Sequence, residues 1–102
     1  MEKELTGTIL EILKTHRICH VATVEGDRPL NSTVEYVSDR TQLYFVSIPG
    51  TQKVRNLENN PHVAVTITGP GRTHRDITGL QIFGKARRVA MLTYPTIDAV
   101  VN

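Results

Sequence analysis

Apolar residues recur with helical spacing at the start of the chain and with strand spacing after it. From roughly Lys3 to Thr15, Leu5, Ile9, Ile12 and Leu13 fall on one stripe, with Leu10 beside it. Glu2, Lys3, Glu4, Glu11 and Lys14 fill the rest, acids first and a lysine last, as the helix dipole favours. Past His16-Arg17 the period changes. Ile18 to Val24 predicts a strand, Glu25-Gly26-Asp27 a turn, and Leu30 to Val37 a second strand rich in Thr and Val. Ser38-Asp39-Arg40-Thr41 is a second turn. Leu43 to Ile48 is apolar on both faces and predicts a central third strand. Pro49-Gly50 breaks it. Thr51 then caps a short helix through about Asn59, with Val54 and Leu57 facing inward. Asn60-Pro61 stops that helix, because a residue before proline disfavours the helical region. His62 to Thr68 predicts a fourth strand. A polar loop opens at Gly69-Pro70-Gly71 and runs to Thr78, and Leu80 to Val89 predicts a fifth strand. Gly84 in its middle marks a bulge or the close approach of another backbone. The apolar tail, Ala90 to Asn102, reads as a short helix from about Thr96 or as a segment packed on a partner.

Short polar turns join neighbouring strands antiparallel, so the first three strands form a meander. Five strands and two short helices predict a mostly β fold, a small antiparallel barrel that solves its edge problem by closing. The 102 residues are one domain, with neither repeat nor linker. A core this thin gains from self-association. Twelve Lys and Arg against ten Asp and Glu leave a net charge of +2, too little to argue for nucleic acid or a membrane surface. The single cysteine, Cys19, forms no internal disulfide, which suits a reducing compartment such as the cytoplasm. No uncharged apolar run nears the roughly 20 residues of a membrane span. The first five residues carry two acids where a secretory leader would be basic and then apolar.

Chemistry concentrates in Ser47-Ile48-Pro49-Gly50-Thr51-Gln52-Lys53. A strand ends, a Pro-Gly turn follows and a helix begins. Backbone N–H groups at a helix start are unpaired and partly positive, Thr51 adds a hydroxyl, and Lys53 adds a charge the dipole alone would disfavour. A phosphate there would reverse that penalty; the alternative is a capped helix with a solvated lysine. On the second strand Asn31, Thr33 and Glu35 share one face, and Ser32, Val34 and Tyr36 the other. Cys19 and His20 face opposite sides of a strand, so no Cys/His dyad is indicated, and a buried thiol is the expectation. The four histidines have no metal-ligand spacing. Arg72, Arg75, Lys85, Arg87 and Arg88 make the region from the second loop through the fifth strand basic, either a solvated face or a rim that attracts anions.

The order Ala22-Thr23-Val24, Gly26-Asp27-Arg28-Pro29, Leu43-Tyr44-Phe45, Gly50-Thr51-Gln52-Lys53, Asn56-Leu57-Glu58-Asn59-Asn60-Pro61 and Gly84-Lys85-Ala86 resembles the pyridoxamine 5'-phosphate oxidase-like flavin-binding split-barrel family, over roughly Leu5 to Val89. The resemblance implies a split β-barrel that pairs into a homodimer, with FMN at the subunit interface. It implies that Thr51, Gln52 and Lys53 hold the FMN phosphate. Asn31, Ser32, Thr33 and Val34 would run beside the ring and ribityl chain, Val46 and Ser47 would touch the flavin at the end of the third strand, and Gln81 would lie near the ring. Two departures lower the positive charge: Asn31 stands where the oxidase tends to have an arginine, and Gln52 where a basic residue is common. Arg28 or a basic residue of the partner would compensate. The chain stops at Asn102, before the oxidase's later substrate-contacting segments, so the expectation is a small FMN protein and not pyridoxamine oxidase itself. The flavin would carry hydride or electrons to a small-molecule redox substrate, with no catalytic side chain required. The alternatives are a non-catalytic FMN-binding or storage protein, or a barrel that has changed its ligand to heme or a deazaflavin.

Overall fold

Two-residue turns dictate much of the chain path. The computed structural model describes residues 2–45, 47–48, 50–68, 79–88 and 95–101, with side chains for 7–45, 47–48, 50–68 and 79–87. Val46, Pro49, the loop over residues 69–78 and its Arg72 and Arg75 lie outside the described residues. Helix α1 (Glu2–Thr15) leads to strands β1 (Ile18–Glu25), β2 (Arg28–Asp39) and β3 (Gln42–Phe45); α2 (Gln52–Asn59) follows, then β4 (His62–Thr68), β5 (Gly79–Arg88) and β6 (Pro95–Val101). The β1–β2 hairpin closes through Gly26-Asp27, with Glu25 opposite Arg28. Gly26 has φ +60°, a left-handed value at the first turn position that glycine adopts freely.

The strands form a closed antiparallel barrel in the order β1-β2-β3-β6-β5-β4. Three expectations are corrected here. The tail is a strand and not a helix from Thr96: β6 fills the gap between β3 and β5 and pairs with both. Unpaired edges on those two strands would cost more than the helical preference of a short segment returns. The fifth strand carries no bulge, because the register runs unbroken through Gly84, which sits opposite Val63 on one side and Ala99 on the other. The third strand is shorter than its apolar run and ends at Phe45, while Ile48 beyond it is 75% exposed.

Alternation decides the core. Cys19, Val21 and Thr23 of β1 point inward and meet Val34 and Tyr36 of β2, Leu43 and Phe45 of β3, and the buried positions of β4 and β5. Both helices pack against the barrel. Leu13 of α1 is 1% exposed, and its carbonyl accepts hydrogen bonds from Tyr36 Oη (2.9 Å) and Ser38 Oγ (3.1 Å). Helix α2 packs on β1 and β5, with Val54 and Asn56 buried and Leu57 half-buried against the core. Asn56 is the inward residue that hydrophobic patterning passes over. Its Nδ2 donates to Thr23 Oγ1 at 3.0 Å, and both residues are fully buried. Asn56→Ala leaves the Thr23 hydroxyl without that partner and should cost about 2 kcal/mol in urea unfolding.

Candidate functional site

The chain enters α2 through Gly50, at φ +83°, and Thr51. Thr51 is the N-cap residue, but its side chain does not cap: its hydroxyl donates back to the Ile48 carbonyl at 3.0 Å. The expected hydroxyl cap is thereby corrected. No acid stands in the first turn, so neither a side-chain cap nor a carboxylate answers the N–H groups there.

Lys53 is half-buried, with its ammonium 6.0 Å from the centroid of the buried Phe45 ring. Burial lowers its pKa from the ordinary 10.5, and the neighbouring Cys19 opposes that in part. This is the setting in which an added anion gains most, since burial weakens screening and leaves the cation short of compensation. Cys19 itself is fully buried, and burial pushes its thiol up to about 12 against the lowering influence of Lys53. A thiol held protonated in this way is a poor nucleophile, and the exposed His20 lies on the other face of the strand.

Other side chains of α2 form a connected network with Glu25 at the end of β1. Gln52 Nε2 donates to Glu25 Oε2 (2.5 Å) and to Asn56 Oδ1 (2.7 Å). Arg55 Nη2 donates to Gln52 Oε1 at 2.7 Å, and Arg55 Nη1 donates to the Gly50 carbonyl. Arg55 thus returns to the beginning of the helix. Its position three residues after Gln52 puts both on one helical face, a spacing legible in the sequence. Arg28 faces Glu25 across the hairpin, and with Asp27 in the turn the hairpin end carries two acids and one base.

On the outer wall, register assembles what the sequence could only list. Thr33 lies opposite His20, His20 opposite Thr66, and Thr66 opposite Gln81. Two residues along each strand, Asn31 lies opposite Ala22, Ala22 opposite Ala64, and Ala64 opposite Phe83. These two rows cross four strands, about 14 Å at ordinary strand spacing. His20 Nδ1 and Thr33 Oγ1 are 3.0 Å apart. The register therefore brings Gln81 into line with Thr33, and adds His20 and Thr66, which no local motif marked. The segment 31–34 divides: Asn31 and Thr33 are exposed on the outer wall, while Ser32 is half-buried and Val34 buried on the inner side. Ser47 is buried at 3% exposure. Lys85 and Arg87 are exposed on β5. Among the described residues no helix is long and apolar enough to cross a membrane.

Comparison with known proteins places this architecture. The family model described as pyridoxamine 5'-phosphate oxidase matches residues 5–94. The chain is 24% identical over 66 residues to General stress protein 26 of Bacillus subtilis; the match spans 65% of this chain and 47% of that protein, about half of the relative's length. Among solved structures, an FAD-binding protein of Mesorhizobium loti superposes with a TM-score of 0.79 at 17% identity, covering 88% of this chain and 86% of that one. The FAD-binding protein of Mycobacterium smegmatis superposes with a TM-score of 0.76 at 16% identity, covering 89% and 83%. At these identities the superpositions establish a common fold. With the family match running from α1 nearly to β6 across a closed antiparallel barrel, the chain belongs to the pyridoxamine 5'-phosphate oxidase family.

Proposed function

We propose that this protein binds flavin mononucleotide and serves as an oxidoreductase that works as a homodimer on a small-molecule redox substrate. One observation carries the reading: the family match over residues 5–94 takes in every residue expected to touch the cofactor. The local chemistry fits a phosphate monoester. The start of α2 has no first-turn acid, and Lys53 holds a half-buried ammonium. Thr51, Gln52 and Lys53 would hold the phosphate. Asn31, Ser32, Thr33 and Val34, together with Val46, Ser47 and Gln81, would line the flavin, Ser32 and Val34 through their backbone because their side chains turn inward. The flavin, when bound, supplies the electron and hydride chemistry; the protein anchors it and limits its contact with water.

A second reading, FAD as the cofactor, is favoured by the similarity to the two FAD-binding proteins. One preparation separates the two. The protein as purified should show flavin absorption, and heat-released cofactor should co-elute with FMN. Co-elution with FAD supports the second reading, and a colourless protein that neither nucleotide titrates rules out both. Light scattering on the same sample should give twice the 11.4 kDa chain mass.

A further inference from the structure

The Glu25–Gln52–Arg55 network changes which side chains can meet the phosphate, an inference that rests on the flavin-nucleotide reading above. Gln52 is the residue the family pattern points to, yet its side-chain amide is engaged at both ends. Nε2 donates to Glu25 and Asn56, and Oε1 accepts from Arg55. Both N–H donors of that amide have protein partners, so its backbone N–H, at the first position of α2, is the part of Gln52 free of this network. Arg55 is differently placed. Two of its bonds go to Gln52 Oε1 and the Gly50 carbonyl, both neutral acceptors, so its full charge lies at the helix start without being cancelled by either. A guanidinium has five donors, and these two bonds use two of them. The carboxylate of Glu25 reaches the same amide from the other side.

We propose that Arg55 is the second phosphate-recognising cation of this protein, positioned by Gln52, and that Glu25 is an opposing charge that limits affinity for the dianion. Arg55 thereby takes the part left open by Asn31 and Gln52, which stand where basic residues are common in the family. Gln52 acts as a positioning residue: it touches Arg55 on one side and is fixed by Asn56, which is itself tied to Thr23 in the barrel wall. The two charges predict effects of opposite sign. Arg55→Gln should weaken FMN binding roughly tenfold, as expected for loss of a charge-assisted bond at a partly exposed site. Glu25→Gln should strengthen it about two- to fivefold at low salt, and the gain should shrink by 0.5 M salt. Riboflavin, which lacks the phosphate, should bind all three proteins alike.

The test is fluorescence titration of wild type, Arg55→Gln, Arg55→Lys, Glu25→Gln and Lys53→Ala with FMN and with riboflavin, with circular dichroism confirming the fold of each. Arg55→Lys should recover part of the loss, because it keeps the charge but not the fork. If Lys53→Ala weakens FMN while Arg55→Gln and Glu25→Gln leave it unchanged, the assignment of Arg55 and Glu25 fails and the phosphate reading stands. If wild type binds neither FMN nor riboflavin, the flavin reading fails and this inference with it. Equal losses for FMN and riboflavin in Arg55→Gln would make Arg55 a structural residue and overturn its role as a phosphate ligand.

Discussion

Lys53→Ala is expected to reduce FMN affinity about 10- to 100-fold while leaving riboflavin affinity within twofold of wild type. The range follows from removing one hydrogen bond to a charged partner, about 1.5–3 kcal/mol, with about 1.4 kcal/mol per tenfold. The physical basis is the position of the ammonium. It is half-buried over the Phe45 ring, and burial already depresses its pKa. The protein without ligand therefore carries Lys53 at a cost that a bound dianion offsets. A companion variant makes the point sharper. Lys53→Met keeps the aliphatic stem and removes the charge, so it should unfold at the same temperature as wild type or higher, yet lose FMN to the same extent as Lys53→Ala. A Lys53→Met protein that is both less stable and unchanged in FMN binding would show that the lysine serves packing alone.

Alkaline pH should unfold this protein steeply, and three interior groups set the course. Burial raises the Cys19 thiol from 9.0 to about 12. Burial also raises the Tyr36 phenol from 10.0 to about 12, with Cys19 adding to it. Both groups keep their protons in the folded state after the unfolded chain has lost them, so each stabilises fully below its unfolded pKa and loses that contribution as pH rises to about 12. Lys53 has the opposite sign. Its folded pKa is lowered, so stability rises between that value and 10.5 as the buried charge is lost. Cys19 and Tyr36 each change stability by about 1.4 kcal/mol per pH unit across their own windows. The expected profile therefore falls from about pH 9 with Cys19 and more steeply from about pH 10 with Tyr36, while Lys53 works against both up to 10.5. Above that it falls by about 2.7 kcal/mol per unit, from Cys19 and Tyr36 together. A loss of order 5 kcal/mol by pH 12 would unfold a domain of ordinary stability. Urea titrations at intervals from pH 8 to 12 give the curve directly. In Lys53→Met the fall between pH 9 and 10.5 should be steeper than in the wild type, and in Cys19→Ala the slope above pH 10.5 should halve. A wild-type profile that stays flat to pH 12 would mean that both protons are released without unfolding.

The local grammar of the chain carried a large share of the fold. Alternation around Val21 and Val65, the Gly26-Asp27 turn, and the Asn60-Pro61 stop are effects over a few residues, and each element they imply is present. The tail shows where such reasoning ends. Ala90 to Asn102 has ambiguous periodicity, and residues 95–101 become a strand because β3 and β5 need a neighbour on their open edges, a demand no window of the sequence contains. Gly84 is the same lesson reversed. A glycine in a strand suggests a bulge locally, but pairing on both sides holds it in register. Thr51 has the residue type of a helix cap, yet its hydroxyl turns to Ile48 instead.

By itself the sequence determined the residue types that chemistry could use: a lysine just inside a helix, polar side chains on a strand, one thiol. It also determined the strand and helix periods that put them on particular faces. Tertiary structure alone decided their company. Closure of the barrel set Thr33, His20, Thr66 and Gln81 in one row, although they are spread over 62 positions from 20 to 81. Docking of α2 brought Glu25 to Gln52 across 27 positions and Asn56 to Thr23 across 33, and it turned Lys53 over Phe45. The reason is one of range: backbone preferences act over a few residues, whereas burial and pairing are satisfied only when distant segments meet, and that meeting fixes which charges share an environment.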